Sequence, residues 1–171
     1  MKKVNEAVTI HCYIFINKYV LPLGKKDERF KQGYFKPKNP KKFMGEYAVF
    51  RSSYERKFLL WADSNPNVVE WGSENVVVPY RSPIDNKIHR YFVDNYIVLK
   101  EGDKIKKYLI EIKPYKQTLA PVISKKKKKA TVLYENTQWA VNQAKWEAAK
   151  IYAKDRGAEF IILTEKELFP S

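Results

Sequence analysis

The run HRYFVDNYIVLKEGDKIKKYLIEIK, His89 to Lys113, constrains the fold more than any other stretch of the 171 residues. Its first half is rich in aromatic and β-branched residues, EGDK supplies a turn, and the second half returns with the same character. The spacing predicts a β-hairpin. Side chains alternate between the faces of a strand, so Glu111 and Lys113 share one face, Ile110 and Ile112 take the other, and Pro114 stops the run. A turn between Gly102 and Asp103 pairs residues whose numbers add to about 205. That register sets Asp94, the acid of the first strand, directly opposite Glu111, with Cβ atoms roughly 5 Å apart. A slip of one residue would send Asp94 to the other face.

Helices and further strands surround the hairpin. RSSYERKFLLWADSNP predicts a helix capped by Ser52, with Glu55 at the capping-box position and Asn65-Pro66 as its stop. VVEW and NVVVPY read as two short strands separated by Gly72-Ser73. ATVLYENTQWAVNQAKWEAAKIYAKDRG reads as a long helix whose apolar stripe is Leu133, Thr137, Ala140, Val141, Ala144, Ala148 and Ile151, closed by Gly157. Trp139 and Trp146 read as packing residues. EFIIL is a last buried strand, and TEKEL starts a short helix with the same Thr-x-x-Glu spacing. The expectation is an α/β fold, a mixed sheet flanked by helices, in a single domain over residues 25–171.

Charge is concentrated. Lys25 to Lys42 holds eight basic and two acidic residues, and Lys113 to Lys129 holds seven lysines and no acid, so the two stretches carry +13 of the net +14. Residues 25–45, with KNPKK and several Gly and Pro residues, read as a basic extended arm; Pro114 to Lys129 reads as a long basic loop. Such clustering is the electrostatic footprint of a polyanion partner and equally the signature of a solvated loop. The lysines that face a nucleic acid backbone on the first reading are Lys36, Lys38, Lys41 and Lys42 in the arm. Lys116, Lys125, Lys126, Lys127, Lys128 and Lys129 do so in the loop. No element is built to read base edges, so low sequence specificity is expected.

One cysteine, Cys12, excludes an internal disulfide, and two histidines make a Cys/His zinc site a poor expectation. The longest apolar stretch, VTIHCYIFINKYVLPL, is broken by His11, Asn17 and Lys18 and is short for a membrane span of roughly 20 residues. Without an A-x-A-like site it is also a poor signal peptide. Residues 1–24 are set apart as an N-terminal extension with no assigned role.

Two opposed carboxylates destabilise a sheet unless something offsets them. A divalent cation such as Mg²⁺, which takes carboxylate oxygens and keeps waters for substrate phosphates, is the natural candidate. Lys113, one step beyond Glu111, is placed to act on an attacking water or on phosphate charge. Glu55, at the edge of the first helix's apolar stripe, is the third acid able to turn toward the sheet. The plain alternatives stand beside these readings: a capping-box Glu55, a solvent-facing Asp94, and a modest Glu111–Lys113 surface pair. Gln143 on the long helix is a further candidate for the site or a phosphate. His89 reads as a satisfied histidine or a phosphate contact.

The order Glu, Asp, Glu-x-Lys on helix, strand and strand resembles the PD-(D/E)xK nuclease superfamily. FRSSYERKF (Phe50 to Phe58), NPNVVEWGSENVVVPYRSPIDNKIHRYFVDNY (Asn65 to Tyr96), YLIEIKPYKQ (Tyr108 to Gln117) and the stretch from Ala140 to Leu168 are similar to the head-completion nucleases of myovirus-type phages. DNA-cleaving subunits of cut-and-paste transposases share part of the pattern. The resemblance covers roughly residues 30 to 168. It implies a restriction-endonuclease-like core, with Glu55, Asp94 and Glu111 as ligands of Mg²⁺ or Mn²⁺ and Lys113 as the catalytic lysine. It further implies an endonuclease that acts on packaged DNA during head completion. The partners so implied are double-stranded or branched DNA and portal or neck proteins, with no membrane and no small-molecule cofactor, in the host cytoplasm or the virion. A DNA-gripping neck protein that does not cut, and the cleaving subunit of a recombination or transposition system, are the alternatives. Asp94 follows Val93 and not the proline of the superfamily's namesake motif.

Overall fold

A computed structural model of the chain describes residues 32–122, 124 and 127–168. The N-terminal extension, the first part of the basic arm, and Lys125 and Lys126 lie outside the described residues. Strands β1 (Gly33–Phe35) and β2 (Ala48–Phe50) form a small antiparallel pair around a 3-10 turn, Pro40–Lys42. Helix α1 (Ser53–Ser64) leads into β3 (Val68–Arg81), β4 (Ile88–Glu101) and β5 (Lys104–Ile112). The short helix α2 (Tyr115–Thr118), the long helix α3 (Lys129–Lys154), β6 (Glu159–Leu163) and a last helical turn, α4 (Glu165–Leu168), complete it. The main sheet has the order β3-β4-β5-β6. Its first three strands meander antiparallel, and β6 returns through α3 to lie parallel to β5. It is the mixed sheet flanked by helices that the sequence predicts.

Local signals explain most boundaries. Ser52 caps α1: its hydroxyl accepts the Glu55 N–H at 3.1 Å and donates to the Glu55 carboxylate at 2.8 Å. Thr164 and Glu167 repeat the device at α4, with the Thr164 N–H donating at 2.7 Å. Gly157 takes a left-handed φ of 64° just past α3, as an αL cap requires.

Three expectations change. The two short runs at residues 68–81 are one 14-residue strand, β3. Gly72 does not break it; a Cβ there would stand 2.2 Å from Asn75 Nδ2, so glycine is what lets the Asn75 side chain fold against the strand. The stripe expected on α3 holds only at its centre: Val141, Ala144 and Ala148 pack, partly buried, against the core, Leu133 and Ile151 are exposed, and the buried residues are Trp146, Ala149 and Ala153. Alanines on that face let the helix approach the sheet closely around one large residue, and a hydrophobicity count underrates them. The segment read as an extended arm packs against α1: the Asp63 carboxylate accepts the backbone N–H groups of Lys38 and Asn39 at 2.9 and 3.1 Å. Phe43 from the same segment is in the core, 4.3 Å from the Trp71 ring.

Two apolar cores lie on the sheet's two sides. One joins Phe58, Leu59, Trp61 and Ala62 of α1 to Ile97, Leu99, Ile110 and Ile112. The other joins Trp146, Ala149 and Ala153 of α3 to Tyr91, Val93, Leu109 and Phe160. The odd-numbered residues of β4 thus change cores between Val93 and Ile97. At the same level β3 carries a bulge: Ser73 pairs with Asn95 and Val76 with Val93, so three steps on β3 match two on β4, and Glu74 takes a positive φ of 53°. A bulge bends a strand and adds twist. Asp94 sits at that joint.

Candidate active site

Hairpin pairing fixes the first two carboxylates. From Glu101↔Lys104 to Asn95↔Ile110 every partner pair of β4 and β5 keeps the register that the sequence predicts. One step further stand Asp94 and Glu111, where the Ile112 N–H donates to Asp94 Oδ2 at 2.8 Å. Glu111 is 3% exposed. Its Oε1 faces Lys113 Nζ at 3.0 Å, and its Oε2 accepts the Tyr91 hydroxyl at 2.5 Å. The pair Glu111–Lys113 is therefore not a surface ion pair.

Charges follow from that crowding. Burial, and then the neighbouring Glu111 charge, push the Asp94 carboxyl up to about 7, against the pull of Lys113 and the Ile112 N–H. Burial works against the Lys113 charge, but Glu111 and Asp94 outweigh it and raise its pKa. Lys113 is thus an ammonium at neutral pH. The Tyr91 phenol is pushed up by burial and by Glu111, so it stays a donor.

Glu55 shares a small cleft with Asp94, Asn95 and Ser73, with room for about one water molecule. Both its oxygens are engaged at its own helix start: Oε1 accepts the Ser52 hydroxyl and Oε2 the Arg51 N–H, each at 2.8 Å. Arg51 itself is paired with Glu74 at the cleft's rim. Among the described residues no three His, Cys, Asp or Glu side chains converge closely enough to hold a metal ion. The donor chemistry nonetheless suits a hard cation: all-oxygen ligands, two of them neighbouring carboxylates, with burial first and their repulsion second raising the pKa of Asp94. The Glu111 oxygens, already facing Lys113 Nζ and the Tyr91 hydroxyl, would have to share or release a partner to meet such an ion beside Asp94. Glu55 fits only by leaving its cap.

The other candidates fall elsewhere. His89 binds Asp85 at 2.9 Å near the β3–β4 turn, five residues along the strand from Asp94. Gln143 is exposed on α3. Lys36, Lys38, Lys41, Lys116, Lys128 and Lys129 are exposed. Lys42 donates to the Asn65 carbonyl at 2.8 Å, and Lys127 pairs with Glu135.

Sequence reasoning missed Tyr91. Only its register, two residues from Val93 on the α3-side core, could have pointed to it. Its ring also lies 5.5 Å from the Lys145 ammonium of α3. Tyr91→Phe removes the hydroxyl and leaves Glu111 Oε2 without its donor. The expected outcome is a loss of about 1.5–3 kcal/mol in chemical denaturation, the range for one hydrogen bond to a charged group.

A profile described as TnsA-like endonuclease N terminal matches residues 65–165, the stretch that holds Asp94, Glu111 and Lys113. The chain belongs to that endonuclease family. It is also 38% identical over 144 residues to the head completion nuclease of Enterobacteria phage T4, covering 80% of this chain and 92% of that protein. The TnsA-like match covers the motifs at Asn65–Tyr96 and Tyr108–Gln117, and the phage relative is a head completion nuclease, the group that the sequence motifs resemble. Glu55 lies before the stretch that the TnsA-like profile matches.

Proposed function

We propose that this chain is a divalent-metal-dependent DNA endonuclease of low sequence specificity that acts in phage head completion. The observation that carries the reading is the Asp94, Glu111 and Lys113 constellation midway along β4 and at the C-terminal end of β5, in a chain of the TnsA-like family. Asp94 and Glu111 would hold Mg²⁺ or Mn²⁺, and Glu55 would join them on release from its cap. When bound, the ion supplies Lewis-acid stabilisation of phosphate charge and a more acidic water. Lys113, held charged by its carboxylate neighbours, acts by electrostatics on the phosphate rather than as a base. Tyr91 keeps the Glu111 carboxylate oriented. The exposed lysines of the basic segments hold the DNA backbone, and the site of action is the host cytoplasm or the virion neck. No helix among the described residues is long and apolar enough to cross a membrane.

Plasmid nicking in Mg²⁺, in Mn²⁺ and in EDTA tests this reading. Cleavage with either ion and none in EDTA is expected; equal cleavage in EDTA would end the metal-dependent reading. A second reading has its own support, because the three acids do not converge and Glu55 is tied to its helix. On that reading the chain grips DNA at the portal or neck without cutting, and binding survives with no nicking under any condition.

Replacing Lys125 to Lys129 by glutamine is expected to weaken binding of unrelated duplexes about equally. The slope of log affinity against log salt then falls by about 0.9 for each phosphate that is no longer neutralised. Lys127 is expected to contribute least within that run, since its ammonium already pairs with Glu135.

A further inference from the structure

Asn95, the neighbour of Asp94, is among the largest fully buried side chains, at 2% exposure. Its Oδ1 is buried and accepts no hydrogen bond among the described residues. The main chain on either side is satisfied by the ladder, with Ser73 on β3 and Ile110 on β5 as partners. The cost of this position therefore falls on the side-chain amide alone. A buried polar atom with no partner is expensive, and the residues around it in β4 are Val, Ile and Tyr, which would fill the space without that cost. Among the described residues three other buried side-chain atoms lack partners: Asn65 Nδ2 and the indole nitrogens of Trp71 and Trp146. Of the four residues, Asn95 is the one that borders the cleft shared by Asp94 and Glu55.

We infer that Asn95 is a neutral oxygen donor of the divalent-cation site, beside Asp94, binding the ion directly or through one of its waters. The inference rests on the metal-dependent reading above. A cleft with room for about one water-sized body suits a single small ion or its water. The donor's neutrality also has a reason. Asp94 already faces Glu111, and Glu55 lies in the same cleft. A further carboxylate would add repulsion in the cation-free protein, whereas an amide carbonyl adds an oxygen without adding charge.

The test is Mn²⁺ binding to the full chain without DNA, read by the loss of the free-ion paramagnetic resonance signal, together with melting temperature in EDTA. Wild type is expected to show a site that Asp94→Asn abolishes. Asn95→Leu, similar in size and apolar, is expected to weaken Mn²⁺ about tenfold, as removal of a supporting metal ligand does. It is also expected to raise the melting temperature in EDTA, because the orphaned amide is gone. Asn95→Asp, which restores an oxygen, is expected to bind Mn²⁺ at least as tightly as wild type. Affinity of Asn95→Leu within twofold of wild type overturns the inference and leaves the metal-dependent reading standing. No difference between wild type and Asp94→Asn overturns both. If Asn95→Leu does not fold, Asn95→Ala decides alone: a tenfold loss supports the inference, and unchanged affinity overturns it.

Discussion

Lys113→Met is expected to lower single-turnover DNA cleavage by at least about a hundredfold, or roughly 2.7 kcal/mol of barrier. The methionine keeps most of the stem and removes the ammonium. On the proposed role, Lys113 meets charge that develops only during phosphate transfer, so DNA affinity measured separately in Ca²⁺ is expected to change little. Lys113→Arg is expected to recover only part of the rate, since a planar fork cannot occupy the place of a point charge 3.0 Å from Glu111 Oε1. Stability also responds. The Glu111 side chain is 4% exposed, so loss of its ionic partner strands a buried carboxylate. The metal-free variant is expected to lose up to about 3 kcal/mol, the low end for breaking a buried pair. Glu111→Gln in the same background recovers stability but not rate, and that separates the structural from the catalytic consequence. Cleavage by Lys113→Met at the wild-type rate would remove the ammonium from the chemistry.

The second large effect belongs to Asp94. Its folded pKa of about 7 lies above the ordinary 3.8, so the native state holds this proton more tightly than the unfolded chain. Its contribution to stability is then fully present below about pH 4 and is lost as pH rises through 7. In EDTA, urea midpoints for wild type are expected to fall over that window. A tenfold change in proton affinity is worth about 1.4 kcal/mol, so the fall amounts to a few kcal/mol. Asp94→Asn flattens it. With Mn²⁺ the trend reverses for wild type, because the ion binds the ionised form. Cleavage by Asp94→Asn is expected to drop about a thousandfold, or roughly 4 kcal/mol, with the ion's stabilisation of phosphate charge. A pH profile identical in wild type and Asp94→Asn would mean that the carboxyl is solvated and unperturbed.

The hairpin register is legible in the sequence because a two-strand turn leaves few choices. EGDK locates the turn, and alternation then places Asp94 beside Glu111. Capping at Ser52 and Thr164 is legible for the same reason, since each is a contact between residues three apart. What escapes depends on partners far away in sequence. Nothing local says that Asp63 binds the backbone at Lys38 and Asn39 and so docks the basic segment. Nor does it say that Tyr91 meets Glu111 twenty residues on. Periodicity finds the centre of the α3 stripe, Val141, Ala144 and Ala148, and misses its ends, because the helix buries Ala149 and Ala153 and leaves Leu133 and Ile151 in solvent. Glu55 stands open between cap and ligand on sequence grounds. The structure shows it capping.

The bulge opposite Asp94 makes the length of β3 a design variable. Between Ser73 and Val76 the chain spends one residue more than its partner strand. A homologue that lacks Glu74 or Asn75 would look, in an alignment, like one with a harmless gap. In space the gap would remove the added twist that turns the distal hairpin onto α3. Tyr91 and Val93 would lose their seats beside Glu111 and Trp146. Insertions and deletions at these two positions are therefore a sharper marker of whether a relative keeps this active-site geometry than the identity of any single residue flanking Asp94.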